Sequence, residues 1–186
     1  MTNKTTNING QKPTVKLAKM GMLVAIAIVL VALIHLPIVP AVPFMEYDPA
    51  DIPILIGSFA FGPLAGLVLT VVTAVIQGVT VSASSGIYGI LMHLIATGVF
   101  VVVAGLIHRK HKRKKAAVLA LVIGTLSMAA VMVPANLLIT PLFMGTPVSA
   151  VVALIPWIIL FNLLKAGINS VITFFLYKRI SGFLHK

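Results

Sequence analysis

The residue with most chemistry to offer is Lys165, which stands in the segment FNLLKAGIN at 161 to 169. Asn162, Lys165 and Asn169 recur there at i, i+3 and i+7, a spacing that puts all three on one face of a helix. An ammonium inside a membrane helix is costly unless it is paired or hydrated, so by default it marks a polar cavity or a ligand. Lysine supplies three donors, and asparagine supplies a donor pair and an acceptor. The alternative is an interhelical hydrogen-bond seam. A seam needs amides but has no need of an ammonium, which favours the ligand reading.

Three further groups of residues could join that stripe. In MVPANLL, Pro134 lacks a backbone N–H and frees a carbonyl one turn earlier, beside Asn136. Such polar groups are tolerated where they line a cavity or are buried in protein, although a simple packing kink would explain them too. In FMEYDPADIP, Asp51 before Ile52 and Pro53 has the pattern of a helix N-cap with proline in the first turn. Glu46 and Asp48, beside Phe44 and Tyr47, are not explained by capping: they suit either a rigid lid over a pocket or a solvated loop. Gln77, Tyr88, His93 and Trp157 could also line a pocket, although for Tyr88 and Trp157 anchoring at a membrane interface is the favoured reading.

Several chemistries are missing. No G-x-x-x-x-G-K-[ST] run is present to bind a nucleotide, and no H-E-x-x-H pair to hold zinc. With no cysteine there are no disulfides and no thiolate nucleophiles or metal ligands. No carboxylate falls inside an apolar segment to relay protons, and no nucleophile, base and orienter cluster together. The chain reads as a non-enzyme without a metal or cofactor.

The elements that must position these residues are membrane helices. Of 186 residues, 60% are hydrophobic and 9% charged, with a mean hydropathy of +1.13; a soluble domain is near ~25% charged. No Asp, Glu, Lys or Arg occurs from Ile52 to His108 or from Ala116 to Leu164. Apolar stretches run over Val15 to Leu36, Ile52 to Gly62, Pro63 to Val81, Ile87 to Ile107, Ala116 to Phe143 and Val151 to Leu176. The second has about 11 residues, a rise of only ~16 Å if helical. The proline-rich PIVPAVP at 37 to 43 reads as a loop.

Charge decides how these stretches cross. Lys4, Lys12, Lys16 and Lys19 gather at the start of the first, HRKHKRKK fills 108 to 115, and YKRISGFLHK closes the chain. Under the positive-inside rule all three are cytoplasmic, which requires an even number of crossings before residue 108 and makes the short stretch a crossing of its own. The expectation is an all-α integral membrane protein, a six-transmembrane-helix bundle with a short second helix and both termini cytoplasmic. Residues 1 to 14 form a disordered cytoplasmic tail and 15 to 183 a single membrane domain. The net charge of +11 thus reads as a topology signal and not as a nucleic-acid surface.

Six helices, a short second one, a long first external loop and polar residues gathered in the last two helices resemble the substrate-binding S subunits of energy-coupling factor (ECF) vitamin transporters. FMEYDPADIPILIGSFAFGP at 44 to 63 and FNLLKAGIN at 161 to 169 look like the riboflavin-specific RibU type. The resemblance covers about 15 to 180. It implies a riboflavin pocket near the outer face of the cell membrane, with Asn136, Asn162 and Lys165 as polar contacts and the loop around Phe44, Glu46 and Tyr47 closing over the vitamin; Asn169 and Tyr88 complete the expected site. It also implies an ECF transmembrane scaffold subunit and two ATPase subunits as partners in the bilayer. The family docks on the scaffold through an Ala-x-x-x-Ala pair on the first helix; here the nearest match is Gly21-x-x-x-Ala25, with Gly in the first place.

Riboflavin has a flat, mostly apolar tricycle with ring carbonyls and a hydroxyl tail, which asks for apolar and aromatic walls with a few convergent donors and acceptors. The chain therefore reads as a binding and translocation subunit. A stand-alone, gradient-driven permease or exporter is the alternative, and a structural subunit in which Lys165 pairs with a lipid or another chain's acid is a third reading.

Overall fold

A computed structural model describes residues 13–110 and 114–184. The helices are α1 (Pro13–Leu33), α2 (Asp51–Phe61), α3 (Pro63–Val79), α4 (Gly86–Lys110), α5 (Lys114–Met144) and α6 (Val148–Leu184), with a single 3-10 turn at Ala83–Ser85 before α4. The expected tail lies outside the described residues except for Pro13 and Thr14, which already belong to α1. Residues 111–113 of the basic run at 108 to 115 also lie outside them.

The protein is an all-α membrane protein. Among the described residues, four helices are long and apolar enough to cross a membrane: α1, α4 with the turn before it, α5 and α6. The other two are shorter, with 11 residues in α2 and 17 in α3. The outward surfaces of α1, α3, α4, α5 and α6 are apolar where a soluble protein would be polar: Leu33, Leu64, Leu106, Leu138, Val171 and Phe175 are all exposed, as contact with lipid tails requires.

The shortest helix is the most enclosed. Every residue of α2 from Asp51 to Ala60 is buried, because α2 packs against α1, α3, α4 and α6. Close approach is possible where side chains are smallest. A Cβ added at Gly66 of α3 would come within 2.6 Å of the Ser58 Cβ, and one at Gly105 of α4 would collide with the Ser58 Oγ. Ser58 instead donates to the Val101 carbonyl at 2.9 Å. Gly62 turns the chain from α2 into α3 at φ +96°, a conformation glycine adopts readily, and Pro63 takes the first position of α3, where its missing N–H costs nothing.

The proline-rich segment is not a bare loop. Leu36–Pro37 (β1) and Glu46–Tyr47 (β2) pair antiparallel, Leu36 opposite Tyr47 and Pro37 opposite Glu46. Two-residue strands carry too little alternation to be read from sequence. Between them, Val39, Val42 and Met45 pack on Val151, Ile158 and Phe161 of α6, so the segment is a plug with its own apolar core. The main core lies further along the bundle, around Leu55, Phe59, Leu69, Phe100 and Met128.

Candidate functional site

Where the hairpin meets α4 and α6, buried polar side chains hold one another. The Lys165 Nζ lies 2.6 Å from the Asp48 Oδ2, with both side chains buried. Asp48 follows β2 and also accepts from the Ala50 amide at 3.0 Å. One turn on from Lys165, the Asn169 Nδ2 donates to the Asp51 Oδ2 at 3.0 Å and to the Asp48 carbonyl at 3.2 Å, and its Oδ1 accepts from the Tyr47 hydroxyl at 2.9 Å. The Asp51 Oδ1 accepts from the Thr97 hydroxyl of α4 at 2.6 Å. Hairpin, α2, α4 and α6 are thereby fastened together.

These contacts correct one expectation and decide against one of two open readings. Asp51 is not an N-cap: Ala50 holds that position with no side-chain cap, and the Asp51 carboxylate turns inward to Thr97 and Asn169. A carboxylate at the first helical residue still meets the positive end of the helix dipole, but its partners come from two other helices. Asp48 is no solvated loop acid, since its carboxylate is the buried counter-ion of Lys165. Burial alone raises the Asp48 carboxyl; the Lys165 ammonium outweighs it, with His93 and the Ala50 amide adding, and holds it below the usual carboxylate range. Burial, and then the negative charges of Asp48 and Asp51, push the Tyr47 phenol up, so it stays protonated and donates.

Beside this cluster opens a cavity of about 150 Å³, many times the roughly 10–15 Å³ one water needs. Phe44, Met45, Glu46 and Asp48 roof it from the hairpin; Gln77 of α3, with Tyr88, Met92 and His93 of α4, forms one wall; Met132, Asn136 and Phe143 of α5, with Phe161, Asn162 and Lys165 of α6, form the other. The apolar part of the lining is mainly methionine and aromatic, with the Tyr88 and Phe143 rings 5.9 Å apart. Glu46 stays at the rim, half-exposed, 2.9 Å from the His35 Nε2.

The two wall asparagines are oriented by their own helices. The Asn136 Nδ2 donates to the Met132 carbonyl at 2.7 Å and its Oδ1 accepts from Thr140 at 2.8 Å. The Asn162 Nδ2 donates to the Ile158 carbonyl at 2.8 Å. Lone pairs and protons left over on these amides, and on Lys165, are what the cavity offers a ligand.

Six expected site residues thus meet at the cavity: Asn136, Asn162, Lys165, Glu46, Phe44 and Tyr88. Tyr47 and Asn169 are not in its lining; they tie the hairpin down. Trp157 is exposed on α6, away from the cavity, whereas Gln77 and His93 line it. Gly21 and Ala25 are exposed on α1, and a Cβ at Gly21 would meet nothing within 4 Å. Thr97 went unread in the sequence, where a threonine in an apolar helix gives no signal of its own.

With this geometry in place, comparison with known proteins is direct. The family model for the ECF transporter substrate-specific component matches residues 15–177. The chain belongs to that family. It is therefore a multi-pass cell-membrane protein, a transporter component and not an enzyme. This S component is 28% identical over 178 residues to the riboflavin transporter RibU of Staphylococcus aureus (strain TCH60), covering 92% of this chain and 93% of that protein. It is 27% identical over 181 residues to the riboflavin transporter FmnP of Bacillus subtilis (strain 168), covering 92% and 94%. The solved S component of a bacterial ECF transporter superposes with a TM-score of 0.80 at 28% identity, over 92% of this chain and 98% of that one.

Proposed function

We propose that this S component binds riboflavin in the cavity between the hairpin, α3, α4, α5 and α6 and serves its uptake by an ATP-driven ECF transporter. One observation carries the reading: in a chain of this family, with relatives named riboflavin transporters over nearly their whole length, the donors and acceptors of Asn136, Asn162 and Lys165 converge on a cavity walled by methionine and aromatic rings. A flat tricycle suits such walls, and its ring carbonyls suit the amide and ammonium donors. Phe44 and Glu46 close the roof, Tyr88 stacks or borders the ring, and Tyr47 and Asn169 hold the roof in place.

The membrane topology belongs to the same proposal. Residues 15 to 183 form one membrane domain with six crossings, both termini are cytoplasmic, and the hairpin faces outward, so the vitamin enters from outside. The exposed Gly21 and Ala25 face of α1 lets a transmembrane scaffold subunit approach closely. Two ATPase subunits bound to that scaffold supply the energy, since this chain carries no nucleotide-binding motif of its own.

Riboflavin titrated into the detergent-purified protein is expected to lose its fluorescence saturably, and Lys165→Met to abolish the effect. Unquenched flavin with the wild-type protein would rule the proposal out. Uptake into vesicles is expected to require the scaffold, the ATPase subunits and ATP; full uptake by the lone chain would instead establish the gradient-driven permease.

A further inference from the structure

Two residues lining the cavity each carry a buried side-chain atom with no hydrogen-bond partner among the described residues: the Gln77 Oε1 and the His93 Nε2. Gln77 is the more telling. Its side chain is over nine-tenths buried, on a helix otherwise given to leucine, valine and threonine, and its Nε2 is engaged by the Ser82 Oγ at 3.3 Å. The Oε1 is thus a buried acceptor without a partner among the described residues, on a side chain that borders the cavity, a state that costs free energy unless something donates to it. Reversing the amide would exchange the roles of its two ends and still leave one of them unmatched.

We infer that Gln77, with Ser82 and Ser85 beside it in the cavity lining, forms a second polar subsite that receives hydroxyl groups of the ligand. It deepens the proposed function: the polar edge of the flavin ring meets Asn136, Asn162 and Lys165 on α5 and α6, and the ribityl hydroxyls meet Gln77 and the two serines across the cavity. Hydroxyls suit this wall because each both donates and accepts, so one chain of them satisfies an amide and two serine hydroxyls in either orientation. An apolar or ring-only ligand leaves the Gln77 amide unmatched, and discrimination by unmatched buried polar groups is strong.

The test compares riboflavin with lumiflavin, the same ring carrying a methyl group in place of the ribityl chain, by fluorescence quenching on the detergent-purified protein. Gln77→Met keeps the length and removes the amide. It is expected to weaken riboflavin binding roughly ten- to a hundredfold and to leave lumiflavin affinity within about twofold, which also reports that the variant is folded. Ser82→Ala, at a less buried turn, is expected to weaken riboflavin a fewfold and lumiflavin not at all, and it carries the test should Gln77→Met not fold. Equal losses for both ligands, or no loss for either, overturn the subsite while leaving the proposed function standing. Wild-type protein that quenches neither flavin overturns both.

Discussion

Two buried polar regions lie side by side in this protein and differ in one respect. In the fastening between hairpin, α2, α4 and α6, the polar groups of Asp48, Asp51, Thr97, Lys165, Asn169 and Tyr47 bond to one another. On the α3 and α4 wall of the cavity the buried Gln77 Oε1 and His93 Nε2 have no hydrogen-bond partner among the described residues. Buried polar groups that satisfy each other contribute to holding a structure together, whereas unsatisfied ones are tolerated where a ligand completes them. Lys165 belongs to both regions, since its ammonium binds Asp48 and also faces the cavity. In the proposed function, ligand binding and the fastening of the hairpin are joined at this one side chain.

The comparison is broken most severely at the ion pair. Asp48→Asn or Lys165→Met leaves one buried group without its counter-ion, a loss of about 3–5 kcal/mol, read as a lower melting temperature in detergent. Replacing both, as Asp48→Leu with Lys165→Met, is expected to restore most of that stability and none of the flavin binding. If the double variant melts as low as either single one, the pair is not what holds the hairpin.

The next effect is at Asn169. Changing it to Leu strands the Tyr47 hydroxyl and one Asp51 oxygen, with an expected loss of about 1–3 kcal/mol in the same melting measurement. Tyr47→Phe removes a single neutral hydrogen bond and should cost about 1 kcal/mol. A Tyr47→Phe variant less stable than Asn169→Leu would reverse the ranking of amide and phenol in the fastening. Because neither residue lines the cavity, both variants should bind riboflavin more weakly only through a looser roof, with faster dissociation and little change in association rate.

The smallest effect concerns pH. Since the folded protein holds the Asp48 carboxyl below its ordinary range, this group's contribution is fully present above the ordinary carboxylate range and is lost as pH falls through the lower, folded value. Melting temperature is therefore expected to be insensitive to Asp48 between about pH 6 and 8 and to fall in acid, and the acid limb should disappear in Asp48→Leu with Lys165→Met. An acid limb unchanged in the double variant would assign it to other groups.

Much of the site was open to reading along one helix. The i, i+3, i+7 spacing of Asn162, Lys165 and Asn169 follows from helical geometry alone, and the structure puts all three inside the bundle. What each then does was not open to reading. Asn162 and Lys165 reach the cavity while Asn169 turns to the hairpin, a division set by what lies opposite on other segments. The partner of Lys165 was within reach, because three acids clustered in one loop and a single intramembrane cation invite pairing. Asp51 was harder, as local spacing favoured a cap and only Thr97 and Asn169, 46 and 118 residues away, draw its carboxylate inward.

Composition by itself determined that this chain is a helical membrane protein, because long runs without charge can satisfy their backbone in lipid only as helices. It also determined that an ammonium would be held in the interior, because lipid offers no alternative. Tertiary structure alone decided that Asp48 neutralises that ammonium, that α2 is enclosed on every side, and that the buried Gln77 Oε1 is left without a partner among the described residues. Those outcomes depend on the distances between segments far apart in the chain, and no local preference encodes a distance.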